Sequence, residues 1–195
     1  MTAKIKLGLI IASGREGRFA DKIVKWAQAQ IAADGRYEVT VIDPRALGVT
    51  AWHYDMQPKN LAALKAALGD AEAFLIVTPE YNHSFPASVK SLIDAGKEEW
   101  EAKPVAFLSY GGISGGLRAV EGLRLVLAEL HAVTLRDSVS FAMPFQRFAD
   151  DGTLTDPAMA EAATALMLNR LAWWAGSLGT ARAAAPYAQS AARQG

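Results

Sequence analysis

The chain has 195 residues, of which 51% are hydrophobic, and this size and composition suit one domain with a full-sized core. The 20 basic and 20 acidic side chains give a formal net charge of 0, so there is no basic field for nucleic acid. The absence of cysteine excludes disulfides, thiolate metal ligands and cysteine nucleophiles. No apolar run approaches the ~20 residues of a membrane span. The N-terminal run is too short for a signal peptide. We therefore expect a cytoplasmic protein with neither nucleic-acid nor membrane partners.

Strand and helix patterns alternate through the first half of the chain. Apolar side chains at helical spacings, such as Ile23, Trp26 and Ala27, separate short runs rich in β-branched residues. Gly35 is the residue type that commonly ends a helix. In chain order, the prediction is a strand at residues 5–11, a helix at 18–34, a strand at 37–42, a loop at 55–60, a helix at 61–69 and a strand at 73–77.

The alternation continues through the second half, where Leu117, Val120 and Leu123 begin an amphipathic helical stripe. Trp173 and Trp174 are expected to pack in the core. In chain order, the prediction is a helix at residues 89–100, a strand at 104–110, a helix at 117–130, a strand at 131–141, a loop at 143–156 and a helix at 157–178, all within one domain of residues 1–180 that precedes an alanine-rich, frayed or disordered tail at 181–195.

Five strand–helix units predict an α/β fold in which helices cover both faces of a parallel sheet. They fit the doubly wound, five-stranded flavodoxin-like order 2-1-3-4-5, which binds its ligand at the edge of the first and third strands. The competing fold is a dinucleotide-binding Rossmann sheet. That fold would require G-x-G-x-x-G after the first strand and an acidic residue closing the second. Asp43 closes the second strand, but the first turn lacks the glycine pattern.

The loop at residues 78–86 follows the wholly apolar third strand. Pro79 and Pro86 fix φ and remove backbone donors, so they stiffen it. Tyr81 offers a flat ring, and Asn82 offers hydrogen-bonding groups to a heteroaromatic edge. A rigid polar loop at the carboxyl end of a strand is where open α/β sheets bind ligands. The alternative is a proline-rich turn whose Tyr81 is partly buried for stability.

The loop at residues 12–18 combines a hydroxyl, two glycines and two guanidiniums just before a predicted helix. Free amides and the helix dipole favour an anion at that position. Arg15 and Arg18 add charged donors suited to phosphate. The alternative is an ordinary turn with surface arginines.

The loop at residues 109–116 contains four glycines, whose backbone can approach a flat ligand closely. A flexible connection is the alternative. In the 2-1-3-4-5 order, the loops after the first, third and fourth strands converge on one end of the sheet. A phosphate site, a ring-edge site and a close-contact site together suit a mononucleotide with a planar head, namely FMN.

These loops resemble signatures of the NAD(P)H-dependent FMN reductase family, which includes quinone, azo-dye and chromate reductases of flavodoxin-like fold. Residues 78–86 resemble its highly specific T-P-E-Y-N-x-S-x-P signature. Residues 13–18, with Trp26, resemble its G-S-x-R-x-x-R phosphate loop, except that Ala12 stands where the pattern has glycine. Residues 103–116 resemble its K-P…S-x-G-G-x-S-G-G segment, so the resemblance covers most of the chain.

The resemblance implies FMN as the cofactor and NADPH or NADH as the co-substrate. It implies Ser13, Arg15 and Arg18 on the phosphate side, and the other loops around the isoalloxazine. The cofactor-binding residues that follow are Ser13, Gly14, Arg15, Arg18, Phe19, Pro79, Glu80, Tyr81, Asn82, Ser109, Tyr110, Gly111 and Gly112.

The resemblance also implies an oxidoreductase with an alternating mechanism. Nicotinamide delivers hydride to flavin N5 and leaves, and a small acceptor (a quinone, azo compound, free flavin or metal oxyanion) then takes the electrons. No residue is assigned as acid, base or nucleophile. A homodimer or homotetramer is expected, formed through the helices after the third and fourth strands or through the apolar final helix.

Two other interpretations remain open. A one-electron carrier like flavodoxin would usually be strongly acidic around its flavin, and the balanced charge argues against it. A flavin-binding regulatory protein is the other. Ser84 and Ser114 lack the G-x-S-x-G elbow of hydrolases. The three histidines share no metal spacing, although His83 adjoins the ring-recognition residues and is a candidate for nicotinamide or acceptor binding.

Overall fold

The structure, a computed structural model, describes residues 3–49 and 57–190. Five strands form one parallel sheet in the order β2-β1-β3-β4-β5, which confirms the flavodoxin-like order. The strands are β1 (Ile5–Ile11), β2 (Tyr37–Ile42), β3 (Ala73–Pro79), β4 (Pro104–Gly111) and β5 (Val133–Ala142). The helices are α1 (Ala20–Asp34), α2 (Pro58–Asp70), α3 (Ala87–Asp94), α4 (Leu117–Glu129), α5 (Ala158–Ala184) and the short α6 (Tyr187–Ser190), with 3-10 turns at Glu98–Trp100 and Pro144–Gln146.

The central strand β3 is buried along its whole length, as a parallel strand covered on both faces should be. Its side chains alternate between two apolar layers. Leu75 and Val77 pack in the layer that α1 and α5 cover. Phe74 and Ile76 pack in the layer that α2, α3 and α4 cover. Because both faces of β3 are filled, the end of this strand is where a ligand has room.

The helix predicted at residues 89–100 is wrong in its second half, because α3 ends at Asp94. Trp100 is fully buried, and its indole N–H donates a hydrogen bond of 3.1 Å to the carbonyl of Ile93. A Cβ at Gly96 would lie 2.8 Å from that indole nitrogen. Gly96 therefore leaves the space that the Trp100 ring needs when the chain turns back to bury it.

Further boundaries also differ from the prediction. Helix α2 begins at Pro58, so the end of the loop predicted at residues 55–60 is helical, while residues 50–56 lie outside the described part. A proline suits the first helical position because its missing N–H would be unpaired there. Strand β5 begins at Val133, because His131 takes a left-handed φ of 58° just after α4.

Helix α5 runs past its predicted end to Ala184, where the Arg182 guanidinium donates a hydrogen bond to the carbonyl of Ala102. Trp174 packs against the core, but Trp173 is 63% exposed, so the expected core position of Trp173 is wrong. In the described ranges, α5 included, no helix is long and apolar enough to cross a membrane.

The sheet gives a direct test of packing at Gly8 in β1, where an added Cβ would lie 2.7 Å from the Phe74 ring. Gly8→Ala is expected to lower the free energy of unfolding by about 1–3 kcal/mol, the usual cost of overpacking. Urea denaturation would measure the change.

Gly176→Ala is the matched control. This glycine is exposed inside α5, and no heavy atom counted among the described residues lies within 4 Å of its added Cβ. The substitution should be neutral or stabilising by about 0.5–1 kcal/mol. Equal destabilisation in both variants would show that the space beside Phe74 is not the constraint.

Candidate functional site

The loops after β1, β3 and β4, which we call the first, second and third loops, meet at the carboxyl edge of the sheet. Ile11 pairs with Val77, and Pro79 pairs with Tyr110, so these strands end at nearly the same level. Direct contacts then join the loops to one another: the hydroxyls of Ser13 and Tyr81 share a hydrogen bond of 2.9 Å. The structure therefore brings the residues predicted on three separate loops into one region.

The two arginines of the first loop differ in their surroundings, because the side chain of Arg18 is buried and Arg15 is exposed. The Arg18 side chain is only 5% exposed and forms two hydrogen bonds, of 2.6 and 2.7 Å, with the Asp43 carboxylate. It also donates to the Ser13 carbonyl at 2.8 Å and to Asp21 at 2.8 Å. Four of its five N–H groups are thus engaged within the protein. This geometry makes Arg18 a brace of the loop, with one N–H that has no partner among residues 3–49 and 57–190.

The charges of this brace stabilise each other. Burial alone would raise the pKa of Asp43, but hydrogen bonds from the Arg18 guanidinium and the Arg45 amide outweigh it and lower the pKa below its ordinary value. The hydrogen bond to Asp43 raises the pKa of Arg18 in turn. Both groups are therefore ionised at neutral pH.

Arg15, in contrast, is exposed, and its guanidinium carbon lies 3.8 Å from the centroid of the Tyr81 ring. This is a close cation–π contact. Glu16 and Gly17 follow it just before α1, where a helix leaves backbone N–H groups without intrahelical acceptors. Charge, free amides and the positive end of the α1 dipole thus coincide, a combination suited to phosphate.

Ser88 is a site residue that sequence reasoning missed. Its hydroxyl donates to the carbonyl of Ala12 at 2.6 Å and accepts from the amide of Gly14 at 3.1 Å. A Cβ at Gly14 would lie 3.2 Å from the Cβ of Ser88. Ser88 lies just beyond the recognised motif in the first turn of α3, and only the fold brings it to the first loop.

The second loop has a tight hairpin at its tip. Tyr81 and Ser84 exchange two backbone hydrogen bonds, of 2.8 and 3.0 Å, across Asn82 and His83. Both central residues have positive φ, 49° and 67°, as a type I′ turn requires. Asn tolerates this conformation better than most residues. The predicted stiffness of the loop therefore comes from this turn as well as from the prolines, and Asn82 and His83 are left exposed.

Glu80 points toward the third loop. Its carboxylate accepts hydrogen bonds from the Ser114 hydroxyl at 2.7 Å and from the Arg118 guanidinium at 2.8 Å. Burial would raise the pKa of Glu80, but these hydrogen bonds outweigh it and lower the pKa below its ordinary value. Both carboxylate oxygens are thus engaged by the protein, although the resemblance implied a cofactor-binding role.

The glycine-rich loop is held tightly. The hydroxyls of Ser109 and Ser140 both donate to the carbonyl of Gly115, at 2.9 and 2.8 Å. Gly116 has a φ of 90°, and a Cβ there would lie 2.7 Å from the backbone nitrogen of Tyr110. At Gly112, by comparison, no heavy atom of the described chain lies within 4 Å of an added Cβ. The loop is thus anchored at one end and open to close approach at the other.

The rings of Phe19 and Tyr110 belong to the apolar layer below the loops. Their centroids lie 6.1 Å apart, and Phe19 also packs edge-on against Phe148. Burial raises the pKa of the Tyr110 hydroxyl. The backbone of Tyr110 still reaches the site, because its carbonyl accepts a 3.0 Å hydrogen bond from the amide of Glu80.

An open cavity of about 370 Å³ lies between the first loop and the start of α3. Its wall combines a guanidinium, an aromatic ring and a hydroxyl with small side chains, a lining suited to a polar, flat ligand. A larger cavity of about 470 Å³ lies beside Lys103, before β4, and shares no lining residue with the three loops. The lining residues of the first cavity are Gly14, Arg15, Val49, Tyr81, Pro86, Ala87 and Ser88. Across the described ranges, no group of three or more metal-ligating side chains is placed to hold a metal ion.

The fold and these loops define a flavodoxin-like protein with a mononucleotide-type site. The chain belongs to the NADPH-dependent FMN reductase family, whose model matches residues 5–146. A 2-hydroxy-1,4-benzoquinone reductase of a Burkholderia species is 31% identical over 138 residues, 67% of this chain and 74% of that protein. An NAD(P)H-dependent FMN reductase of Schizosaccharomyces pombe is 29% identical over 125 residues, 57% of this chain. The chain matches only 60% of the length of that yeast protein.

Solved structures show the same fold at lower identity. FerB, a flavoenzyme NAD(P)H:(acceptor) oxidoreductase from Paracoccus denitrificans, superposes with a TM-score of 0.71 at 24% identity, covering 87% of this chain and 97% of that one. The apo form of an NADH:FMN oxidoreductase, EMOB, gives 0.66 at 20% identity, with 89% and 90% covered.

The Arg18–Asp43 brace predicts a pH-dependent stability. Because the folded-state pKa of Asp43 is lowered, its contribution is present above the ordinary Asp pKa and is lost as the pH falls through the folded value. At neutral pH, Asp43→Asn should lower the free energy of unfolding by about 1.5–3 kcal/mol, as for a hydrogen bond to a charged group. Urea denaturation from about pH 7 to pH 3 should show this difference shrinking below about pH 4.

Asp150→Asn is the control, because Asp150 pairs with Lys22 at 2.9 Å but is fully exposed. It should change stability little at any pH. A deficit in Asp43→Asn that stays constant down to about pH 3 would contradict an ionised brace.

Proposed function

We propose that this protein is an NAD(P)H-dependent FMN oxidoreductase that reduces a small acceptor. One observation carries the proposal: the three loops at one edge of the sheet combine three features that suit FMN. They are the exposed Arg15 before α1, the Tyr81 ring 3.8 Å from its guanidinium, and the open backbone at Gly112. Family membership and relatives named FMN reductase and quinone reductase support the same assignment.

The residues present fit FMN at two points. The first loop would hold the phosphate, with Arg15 as the charged donor and the amides before α1 as neutral donors. Residues 79–82 and 109–112 would hold the ring, and Gly112 leaves the space for it. When bound, FMN would supply hydride transfer from NAD(P)H and electron transfer to the acceptor.

The protein's own contribution is positioning. Arg18, Ser88 and Glu80 fix the loops through contacts within the chain, so the site is formed before a ligand arrives. Preorganisation of this kind lowers the ordering cost of binding. We assign no acid, base or nucleophile, because hydride transfer requires none from the chain.

We further propose a quinone-type or similarly flat acceptor and a cytoplasmic homodimer or homotetramer whose flavin domain spans residues 1–180. A relative named for a 2-hydroxy-1,4-benzoquinone supports the acceptor class. Three exposed apolar side chains on α5 support a subunit contact, because they recur every seven residues on one helix face: Met159, Leu166 and Trp173.

The direct test is the absorption spectrum of the purified protein. We expect flavin bands that anaerobic NADPH or NADH bleaches and that a quinone then restores. A colourless protein that ignores added FMN contradicts the proposal. A bound flavin that neither nicotinamide reduces would favour a flavodoxin-like carrier instead.

Substitution of the exposed arginine tests the phosphate site. Arg15→Ala should weaken FMN binding by about 1.5–3 kcal/mol, the range for a charge-assisted hydrogen bond. Fluorescence titration with FMN would measure the loss. Arg136→Ala is the matched control, because its side chain is 94% exposed on β5, away from the three loops. Equal affinities for FMN in the two variants would remove Arg15 from the site.

A further inference from the structure

The carboxylate of Glu80 occupies the N-terminus of α4. One carboxylate oxygen, Oε2, accepts from the backbone N–H of Arg118 at 3.1 Å and from the Ser114 hydroxyl at 2.7 Å. The other, Oε1, accepts from the Arg118 guanidinium at 2.8 Å. Arg118 is the second residue of α4, so its N–H is one that a helix leaves without an intrahelical acceptor. The Glu80 side chain is only 7% exposed, so water competes weakly for these bonds.

Glu80 reaches this position from a different loop. Its own amide is fixed by a 3.0 Å hydrogen bond to the Tyr110 carbonyl at the end of β4. A Cβ at Gly111 would lie only 3.4 Å from the Cβ of Glu80, so the two loops are in contact there. Glu80 therefore ties the second loop to both ends of the third, through its backbone amide at one end and its carboxylate at the other.

We propose that Glu80 is a positioning residue whose carboxylate serves as a fixed internal anion for α4 and holds residues 111–116 in the conformation that receives the flavin ring. This inference rests on the proposed function, since the ring is that of FMN. It has a second consequence for the site. The Arg118 amide at the N-terminus of α4 is already occupied by Glu80, whereas the exposed Arg15 before α1 is available to a ligand phosphate.

Titration of the full chain with FMN, after its own flavin is removed, tests the proposal. Glu80→Ala should raise the dissociation constant for FMN at least about tenfold, equivalent to one charge-assisted hydrogen bond. Glu80→Gln should fall between this variant and the wild type, because an amide keeps one accepting oxygen but turns donors toward the Arg118 guanidinium. Glu129→Ala, exposed at the far end of the same helix, should leave the constant unchanged.

Formate distinguishes a missing charge from a general loss of packing. Glu80→Ala leaves room for a small carboxylate at the Arg118 amide, so added sodium formate should restore much of its FMN affinity. Glu80→Gln should gain nothing, because its own side chain fills that space. Sodium chloride at the same ionic strength is the salt control. Unchanged affinity in Glu80→Ala, or a loss that formate does not restore, overturns the proposal.

Amide hydrogen exchange without FMN separates this proposal from the proposed function. If the wild-type protein binds no FMN, the proposed function is overturned. The role of Glu80 in holding residues 111–116 can still be tested, because the exchange rates of their amides are measured without flavin. These amides should exchange faster in flavin-free Glu80→Ala than in flavin-free wild type. Equal rates would overturn the positioning role of Glu80. If circular dichroism shows that Glu80→Ala is unfolded, Ser114→Ala replaces it, because this variant removes one hydrogen bond to the carboxylate. Its amide exchange rates at residues 111–116 are then compared with those of the wild type.

Discussion

Irregular backbone beyond the ends of parallel strands must find hydrogen-bond partners that the sheet does not supply. In this protein, side chains from neighbouring segments meet that requirement. Each of these side chains bonds a backbone group of another segment or of another part of its own loop. The pairs are Ser88 with Ala12 and Gly14, Arg18 with Ser13, Ser109 and Ser140 with Gly115, and Glu80 with Arg118.

The site inherits its rigidity from these pairs. A loop whose polar groups are satisfied by its neighbours cannot move without breaking bonds in both. The third loop shows this most clearly, since Gly115 and Gly116 both need positive φ and both lie where a side chain would clash. Glycine here serves close packing at one end of the loop, while Gly112 at the other end keeps open space. The sequence pattern of four glycines therefore contains two different physical requirements.

The fold could be predicted because its signals are local and repeated. Apolar runs alternating with helical stripes define a parallel sheet, and the number of units selects the strand order. The loops could be located for the same reason. Boundaries that depend on one side-chain contact were missed, such as the early end of α3, where the Trp100 indole donates back to the Ile93 carbonyl.

Side-chain roles within the loops were harder to predict for a reason that Arg15 and Arg18 make plain. The two arginines lie three positions apart and look equivalent in sequence. Asp43, 25 residues after Arg18, draws one of them inward. Glu80 shows the same limit, since its partner Arg118 lies 38 residues away on another element. A motif gives the residue types at a site, but the pairing of charges across the fold decides which of them face a ligand.

These two ion pairs also bear on the phosphate position that we propose. The N-termini of α1, α3 and α4 all lie at the same edge of the sheet, and a helix N-terminus can attract an anion. At α4 the Glu80 carboxylate already accepts the hydrogen bond from the Arg118 amide, so that position is occupied by the protein itself. At α1 the nearby carboxylate of Asp43 is engaged by Arg18, so the exposed Arg15 is left with its charge available. In the arrangement that we propose, the phosphate lies beside the exposed Arg15 and the ring lies beside Gly112, where the backbone is open.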